Sequence, residues 1–374
     1  MSLFSFQRHG SIFVYLLCDF VFAAENKNPS NHAVILSSSR YWFNYRHAIN
    51  ALSIYQLIKS HGITDDNIVL MLADEMPSNS RNPLKNAMYA GGSRQRSLYD
   101  ENIEIDYRGD EVTVNNLFKV LLGKGSRTLK TDQDSNILIY WTGHGGDQFF
   151  KFQDVEEITA TDINRLFQEM YRANKYHEIL FIADTCQAFT LGDEITAPNV
   201  FMIGSSLRKE NSYAHHSDPE LGLSVIERYT HKVMEFVRTK GLDGKTLYNC
   251  LIEHLSYQEQ RAHVGFRDGT CRRQLTEAPM KDFFTNSRAE EAAVVGSNNV
   301  SILNVTALQG PSSPEGMFQH QSQPQFSVHS KSIISPRAYS KPPSAILEAS
   351  DPTFVALVAG LLCIVYLTSL ARRS

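Results

Sequence analysis

Two apolar runs in this chain end in residues suited to nucleophilic chemistry. Asn136–Thr142 (NILIYWT) leads into Gly143-His144-Gly145-Gly146, and Glu178–Ala183 (EILFIA) leads into Asp184-Thr185-Cys186-Gln187. His144 precedes Cys186 by 42 positions. A thiol with a free pKa near 8.5 is only partly ionised at neutral pH, so a neighbouring imidazole serves first as its base and then as an acid. Glycines at 145 and 146 let backbone come close to a bound carbonyl. The N–H groups of Gly145 and Cys186 are a candidate oxyanion hole, in which one donor typically contributes about 3 kcal/mol of transition-state stabilisation. Taken singly, such a Cys is more often a buried core thiol and such a His a loop residue. Their conjunction at two strand ends points to acyl transfer, with Cys186 as nucleophile and His144 as base. Zinc is not expected at this pair, because neither residue has a second His or Cys at ligand spacing. His215 and His216 are adjacent and are expected to point apart on a solvated loop.

These residues need a scaffold that presents strand ends to one cleft. Ala33–Ser37, Ile68–Ala73, Asn136–Thr142, Glu178–Ala183 and Asn199–Gly204 read as buried strands. Tyr45 to His61, Val112–Leu122 and Ala160–Asn174 read as helices, the last capped by Thr161 or Asp162. Continuous apolar runs separated by helices indicate a mostly parallel sheet covered on both faces, hence a three-layer α/β fold. Ligands of such sheets sit beyond the carboxyl ends of the strands.

The chain has 374 residues, of which 36 are Lys or Arg and 40 Asp or Glu, for a net charge of −4. That balance, with no basic block on an aromatic platform, gives no sign of nucleic-acid binding. Residues 1–23 read as a secretory signal: Arg8 and His9, an apolar run from Ile12 to Phe22, then Ala23 and Ala24, with Asp19 as a blemish. A buried first strand or an uncleaved anchor is the alternative. Thr353–Leu370 carries no charge and rises about 27 Å as a helix, one bilayer core. It is followed by Ala371–Ser374 with two arginines, which predicts a cytosolic tail and a lumenal domain. A removable glycolipid-attachment tail is the alternative there, against which the terminal arginine pair speaks. The expected layout is a domain over 32–287, a Ser-, Asn-, Gln- and Pro-rich stalk over 288–352 and a span over 353–370. The stalk contains two sequons, at Asn299 and Asn304. Of five cysteines, Cys186, Cys250 and Cys271 fall in the domain, and Cys250 and Cys271 are a candidate disulfide beside one free thiol.

At these motifs the chain resembles the legumain-like, caspase-fold cysteine peptidases, in the branch formed by the catalytic subunits of GPI-anchor transamidases. The resemblance runs over roughly residues 32–229 and is carried by Ser38 to His47 (SSRYWFNYRH), Asn67 to Asp74 (NIVLMLAD), Arg81-Asn82-Pro83, Ile139 to Gly146 (IYWTGHGG), Lys151 to Asp154 (KFQD) and Asp184 to Ala188 (DTCQA). It implies Cys186 as nucleophile, His144 as acid and base, and Asn44 as the polar residue that orients the imidazole. It places Arg46, His47, Ser205 and Ser206 at the substrate pocket. It implies a two-step reaction: Cys186 displaces the C-terminal signal of a proprotein, and the ethanolamine amine of a GPI glycolipid resolves the thioester. It further implies partner subunits in the endoplasmic reticulum membrane and a structural calcium held by Asp65, Glu104 and Asp106, hard oxygen ligands of which the last two would share one side of a strand. A solvated acidic edge is the bland reading of those acids. Ser78 stands where several relatives carry a cysteine that links to a partner, and Leu251–Met280 departs freely. The competing expectations are a membrane-anchored asparaginyl endopeptidase of the legumain kind and an inactive scaffold.

Overall fold

The computed structural model describes residues 31–91 and 96–286. The expected signal, stalk, membrane span and tail lie outside these residues. Among the described residues no helix is long and apolar enough to cross a membrane.

Among the described residues twelve strands form three sheets: β1 (Asn31–Ser37), β2 (Ile68–Leu72), β3 (Tyr107–Arg108), β4 (Asn136–Thr142), β5 (Gly145–Gly146), β6 (Phe149–Phe152), β7 (Glu156–Thr159), β8 (Glu178–Asp184), β9 (Val200–Gly204), β10 (Ala214–Asp218), β11 (Leu223–Glu227) and β12 (Gly265–Arg267). The main sheet has the order β12-β9-β8-β4-β1-β2-β3. All its pairings are parallel except that of β12 with β9. The helices that pack on it are α1 (Tyr45–Ser60), α2 (Val114–Leu121), α3 (Ala160–Arg172) and α4 (Arg228–Lys240).

Strand alternation divides the core into two layers. Ala33, Ile35, Leu138, Tyr140, Leu180 and Ile182 turn one way and pack with α1 and α4, through residues such as Ile49, Leu52, Tyr229 and Val233. Val34, Leu36, Ile137, Ile139, Trp141 and Phe181 turn the other way and pack with α2 and α3, through Leu117, Val120, Ile163 and Phe167. Burial on both faces is why these strands read as unbroken apolar runs. The expected three layers are therefore present, with strand and helix ends shifted by one to two residues.

Corrections fall at local chemistry. The cap of α3 is Thr159, not Thr161 or Asp162: its hydroxyl accepts the Asp162 N–H, and the Asp162 carboxylate accepts the Thr159 N–H, each at 3.2 Å. That reciprocal pair satisfies two otherwise orphaned donors. Cys250 and Cys271 are free thiols. Cys250 is packed in the core, whereas Cys271 lies beside Glu178. His215 and His216 lie on β10 with their rings 4.2 Å apart rather than diverging on a loop.

What positions the site is the sheet's order. From β1 the chain moves outward to β2 and β3, then returns to add β4, β8 and β9 on the opposite side. The boundary between β1 and β4 is thus the topological switch point, where open parallel sheets bind ligands. Register aligns the ends there. Ser37 pairs with Thr142 and Thr142 with Asp184, so three strands finish in one row.

Candidate active site

His144 and Cys186 each lie two residues beyond their row-mates Thr142 and Asp184, at equivalent exits from neighbouring strands. Asn44 follows β1 on the far side of the switch point, in a short turn (Trp42–Asn44) that opens α1. Its Oδ1 is 2.9 Å from His144 Nε2, while its Nδ2 donates to the Arg40 carbonyl at 2.6 Å. The second bond fixes which end of the amide faces the ring. The imidazole therefore donates from Nε2, and Nδ1 is left with the lone pair of a base. Asn44 is thus brought to the place expected of it.

The electrostatics describe a neutral resting pair. Burial pushes the His144 pKa down, with the Arg46 charge acting in the same direction. Burial pushes the Cys186 thiol up, opposed by the Ser212 backbone amide and abetted by Glu227. No hydrogen bond joins Cys186 to His144 in this structure. Deprotonation then belongs to the act of attack rather than to a standing ion pair.

The Gly145 N–H, one of the two candidate oxyanion donors, is not taken up by the neighbouring strand. In the β5–β6 ladder the Lys151 N–H donates to the His144 carbonyl at 2.9 Å, so the Gly145–Phe150 pair is a non-hydrogen-bonded one. The Gly145 N–H is consequently not spent on β6. Gly145 also has no room for a side chain: a Cβ would lie 2.7 Å from Thr185 Oγ1 and 3.0 Å from the Phe149 carbonyl. At Gly143 a Cβ would lie 2.3 Å from Ser38 Oγ. The three loops over the switch point approach each other through glycine. After Cys186 the chain turns sharply at Gln187, in the left-handed region at φ 54°. That turn is held by the Gln187 N–H on the Glu210 carbonyl and by Gln187 Oε1 accepting the Lys209 N–H.

The residues expected at the pocket divide. Arg46 is partly exposed and pairs with buried Glu227 at 2.7 Å, and it donates to the Phe43 carbonyl. His47 is buried behind the site, its ring edge-on to His144 at 5.0 Å and its Nε2 3.4 Å from Glu227. Ser205 and Ser206 are also turned inward. Both hydroxyls donate to the Thr185 carbonyl, at 3.4 and 2.8 Å, so these side chains brace the cysteine turn and do not line a cleft. Sequence reasoning missed Glu227, whose link to Arg46 spans 181 residues and leaves no local signal. It missed buried Asp184 as a structural acid, which accepts from Ser212 and Thr230 and is raised to about 6 by burial and Glu227. It also missed Tyr41 and Phe43, stacked and more than half exposed on the turn that carries Asn44.

The expected calcium ligands lie on the β2 edge, away from the strand ends. Asp65 Oδ1 accepts from the Tyr55 hydroxyl at 2.6 Å, and its other oxygen takes the Lys59 ammonium. Asp106 Oδ2 accepts the Leu70 N–H at 2.9 Å. Glu104 and Asp106 precede β3 instead of alternating on a strand. Burial, then the Leu70 bond and Glu104, act on the Asp106 carboxyl, with a net rise. Among the described residues these acids do not converge as metal ligands do. As arranged, Lys59 neutralises Asp65 on this edge.

Residues 31–266 match the Peptidase C13 family. The chain belongs to that family. It is 42% identical over 265 residues to the GPI-anchor transamidase of Saccharomyces cerevisiae, covering 69% of this chain and 64% of the yeast protein. It is 41% identical over 272 residues to the putative GPI-anchor transamidase of Drosophila melanogaster, covering 71% and 77%. The chain thus spans slightly less than two thirds of the yeast protein's length. Among solved structures, caspase-1 from Spodoptera frugiperda aligns with a TM-score of 0.38 at 8% identity, over 68% of this chain and 92% of that one. So low a score carries no argument, and the fold rests on the sheet order itself. In this member of the Peptidase C13 family, a strand-end His and a strand-end Cys thus meet at one switch point.

Proposed function

We propose that this chain is the catalytic subunit of a GPI transamidase. The observation that carries the chemistry is the oriented imidazole: Asn44 holds Nε2–H and leaves Nδ1 as base one strand away from Cys186. The substrate class rests on the transamidases to which the chain is similar.

The proprotein carbonyl sits above Cys186. His144 Nδ1 takes the thiol proton as sulfur bonds to carbon, and the oxyanion is received by the N–H groups of Gly145 and Cys186. His144 returns the proton to the departing amine, which releases the C-terminal signal and leaves a thioester. The ethanolamine amine of a GPI glycolipid then attacks. His144 takes its proton, and the intermediate collapses to an amide while the thiol is restored. Tyr41 and Phe43 offer an exposed aromatic shelf beside the site for the apolar part of a substrate.

The proposal places the domain in the lumen of the endoplasmic reticulum, anchored by the 353–370 span and assembled with other subunits. Since Ser78 offers no thiol, the assembly is noncovalent at that position. The chemistry calls on no metal. A structural calcium at Asp65, Glu104 and Asp106 belongs to the proposal only as a rearranged state in which Lys59 has left Asp65, measured as a Tm raised by calcium and lowered by EGTA.

Cys186→Ala in cells tests the reading, with surface display of GPI-anchored proteins as readout. Loss of display supports it and unchanged display ends it. Hydrazine capture addresses the acceptor. A hydrazide at the new C-terminus of a proprotein supports the thioester, whereas hydrazides on generic Asn peptides favour the asparaginyl endopeptidase.

A further inference from the structure

Away from the strand ends, the β10–β11 hairpin and α4 bring three imidazoles together. His215 and His216 lie on β10, and His231 is in the first turn of α4. Their ring centroids are 4.2, 4.9 and 4.5 Å apart, and one nitrogen from each lies within 4.8 Å of the others.

The backbone departs from rule to achieve this. Adjacent residues of a strand point to opposite faces. His216 instead adopts φ 52°, in the left-handed region that few non-glycine residues enter, and its ring folds back beside His215. Opposite it stands Gly91, at φ +94°, where a Cβ would come within 3.1 Å of the His216 Cβ. The imidazoles are also unspent. His61, His177, His254 and His263 each have a hydrogen-bond partner in the protein. Among the described residues His215, His216 and His231 have none. Burial pushes all three pKa values down, His231 to about 4 with His216 and His215 adding to the effect. Of the nearby cations Lys232 is matched by carboxylates, whereas Arg228 meets only a backbone carbonyl and keeps its charge beside the rings. Lys232 is paired with Glu235 at 2.9 Å and Glu259 at 2.8 Å, and Arg228 donates to the Glu259 carbonyl.

We propose that His215, His216 and His231 form a binding site for a borderline divalent transition ion, zinc foremost, with three imidazole ligands and a fourth position open to solvent. Imidazole suits zinc, copper and nickel, whereas calcium and magnesium require oxygen ligands. A cavity of about 170 Å³ lined by His215, Arg228, His231, Lys232 and Glu259 adjoins the rings and admits the water that completes the shell. Nitrogens around tetrahedral zinc lie roughly 3.3 Å apart, so the rings draw together on binding. His215 and His216 are exposed enough to rotate for this. The ion pins the hairpin to α4. The hairpin's second strand ends at Glu227, the partner of Arg46, and Ser212 just before β10 holds Asp184. The site thus braces one flank of the catalytic cleft without touching Cys186.

The test uses the full chain carrying Cys186→Ala, which removes the catalytic thiol as a competing ligand. After metal stripping it is titrated calorimetrically with zinc chloride. One zinc per chain with micromolar affinity and a raised Tm is expected. His231→Gln and His216→Asn each weaken binding at least tenfold and abolish the Tm rise, with unchanged circular dichroism. Asn is chosen at 216 because it tolerates the left-handed backbone. Copper(II) in place of zinc then gives an electron paramagnetic resonance spectrum with coupling to three nitrogens. Substoichiometric or many-site weak binding in the Cys186→Ala chain overturns the proposal, and so does undiminished affinity in both histidine variants.

Discussion

The described residues contain two groups of touching imidazoles, and they differ in what holds them. His144 stands against His47 at 5.0 Å, and His215 and His216 stand against His231 at 4.9 and 4.5 Å. Burial lowers the pKa in both groups. In the first, Asn44 fixes the tautomer of His144, and Glu227 faces His47 Nε2, so one nitrogen of His144 is directed at one task. In the second no hydrogen bond among the described residues fixes any ring, and one nitrogen of each lies within 4.8 Å of the others. A partnered imidazole makes a base; unpartnered imidazoles make a ligand set. Contact and burial alone do not separate the two, and the hydrogen bonds do.

The comparison can be broken at the catalytic end in graded ways. Cys186→Ala is expected to remove all turnover while leaving zinc binding by the histidine trio intact, measured by parallel turnover and zinc titration. Gly145→Ala forces a Cβ against Thr185 and Phe149 and displaces the oxyanion donor, with an expected loss in kcat of about 10²- to 10³-fold and a small change in KM. Asn44→Ala frees the imidazole to adopt the wrong tautomer or tilt. A misplacement of this kind costs about 10²-fold, and Asn44→Asp restores the acceptor and recovers part of it. The pH profile is a further check. Because the His144 pKa lies below 6.5, kcat/KM holds to a lower pH than a free imidazole allows and then falls as His144 is protonated. A profile that falls at or above 6.5 contradicts the neutral resting pair.

Asp184 gives the smallest effect, read as stability. Its folded pKa of about 6 exceeds the ordinary 3.8, so between about 4 and 6 the native state binds the extra proton. By linkage this contribution to stability falls as pH rises through that window, by up to about 3 kcal/mol. Urea unfolding of wild type and Asp184→Asn across pH 4 to 7 measures it: the wild type loses stability relative to the variant as pH rises.

The buried strands were legible because burial on both faces leaves a composition signature, and β4 lies over the very residues expected, Asn136–Thr142. The cysteine and histidine were legible because each directly follows such a strand. Asn44 was reached only through resemblance, since a turn Asn after aromatics has no signature of its own. The β10–β11 hairpin was missed because Ala214–Asp218 is polar and half exposed, and the reversal at His216 violates the alternation by which strands are recognised. Thr159 was passed over because Thr161 and Asp162 crowd the same turn, although the Thr-x-x-Asp spacing was available. Pairings such as Arg46 with Glu227 depend on tertiary contact and lie beyond any local pattern.

The shared end row of β1, β4 and β8 has a consequence for how this chain can vary. His144 and Cys186 stand at equal two-residue leads past paired residues, so one inserted residue in either lead shifts its side chain by up to about 3.8 Å, one Cα–Cα step. Exposed turns in the return segments, beyond the turn that carries Asn44 and the helices that cover the sheet, face no such constraint, since adding length there costs only loop entropy. Tolerance to insertion is therefore set by counting from the row: the two-residue leads are forbidden ground, and those exposed turns are free to lengthen.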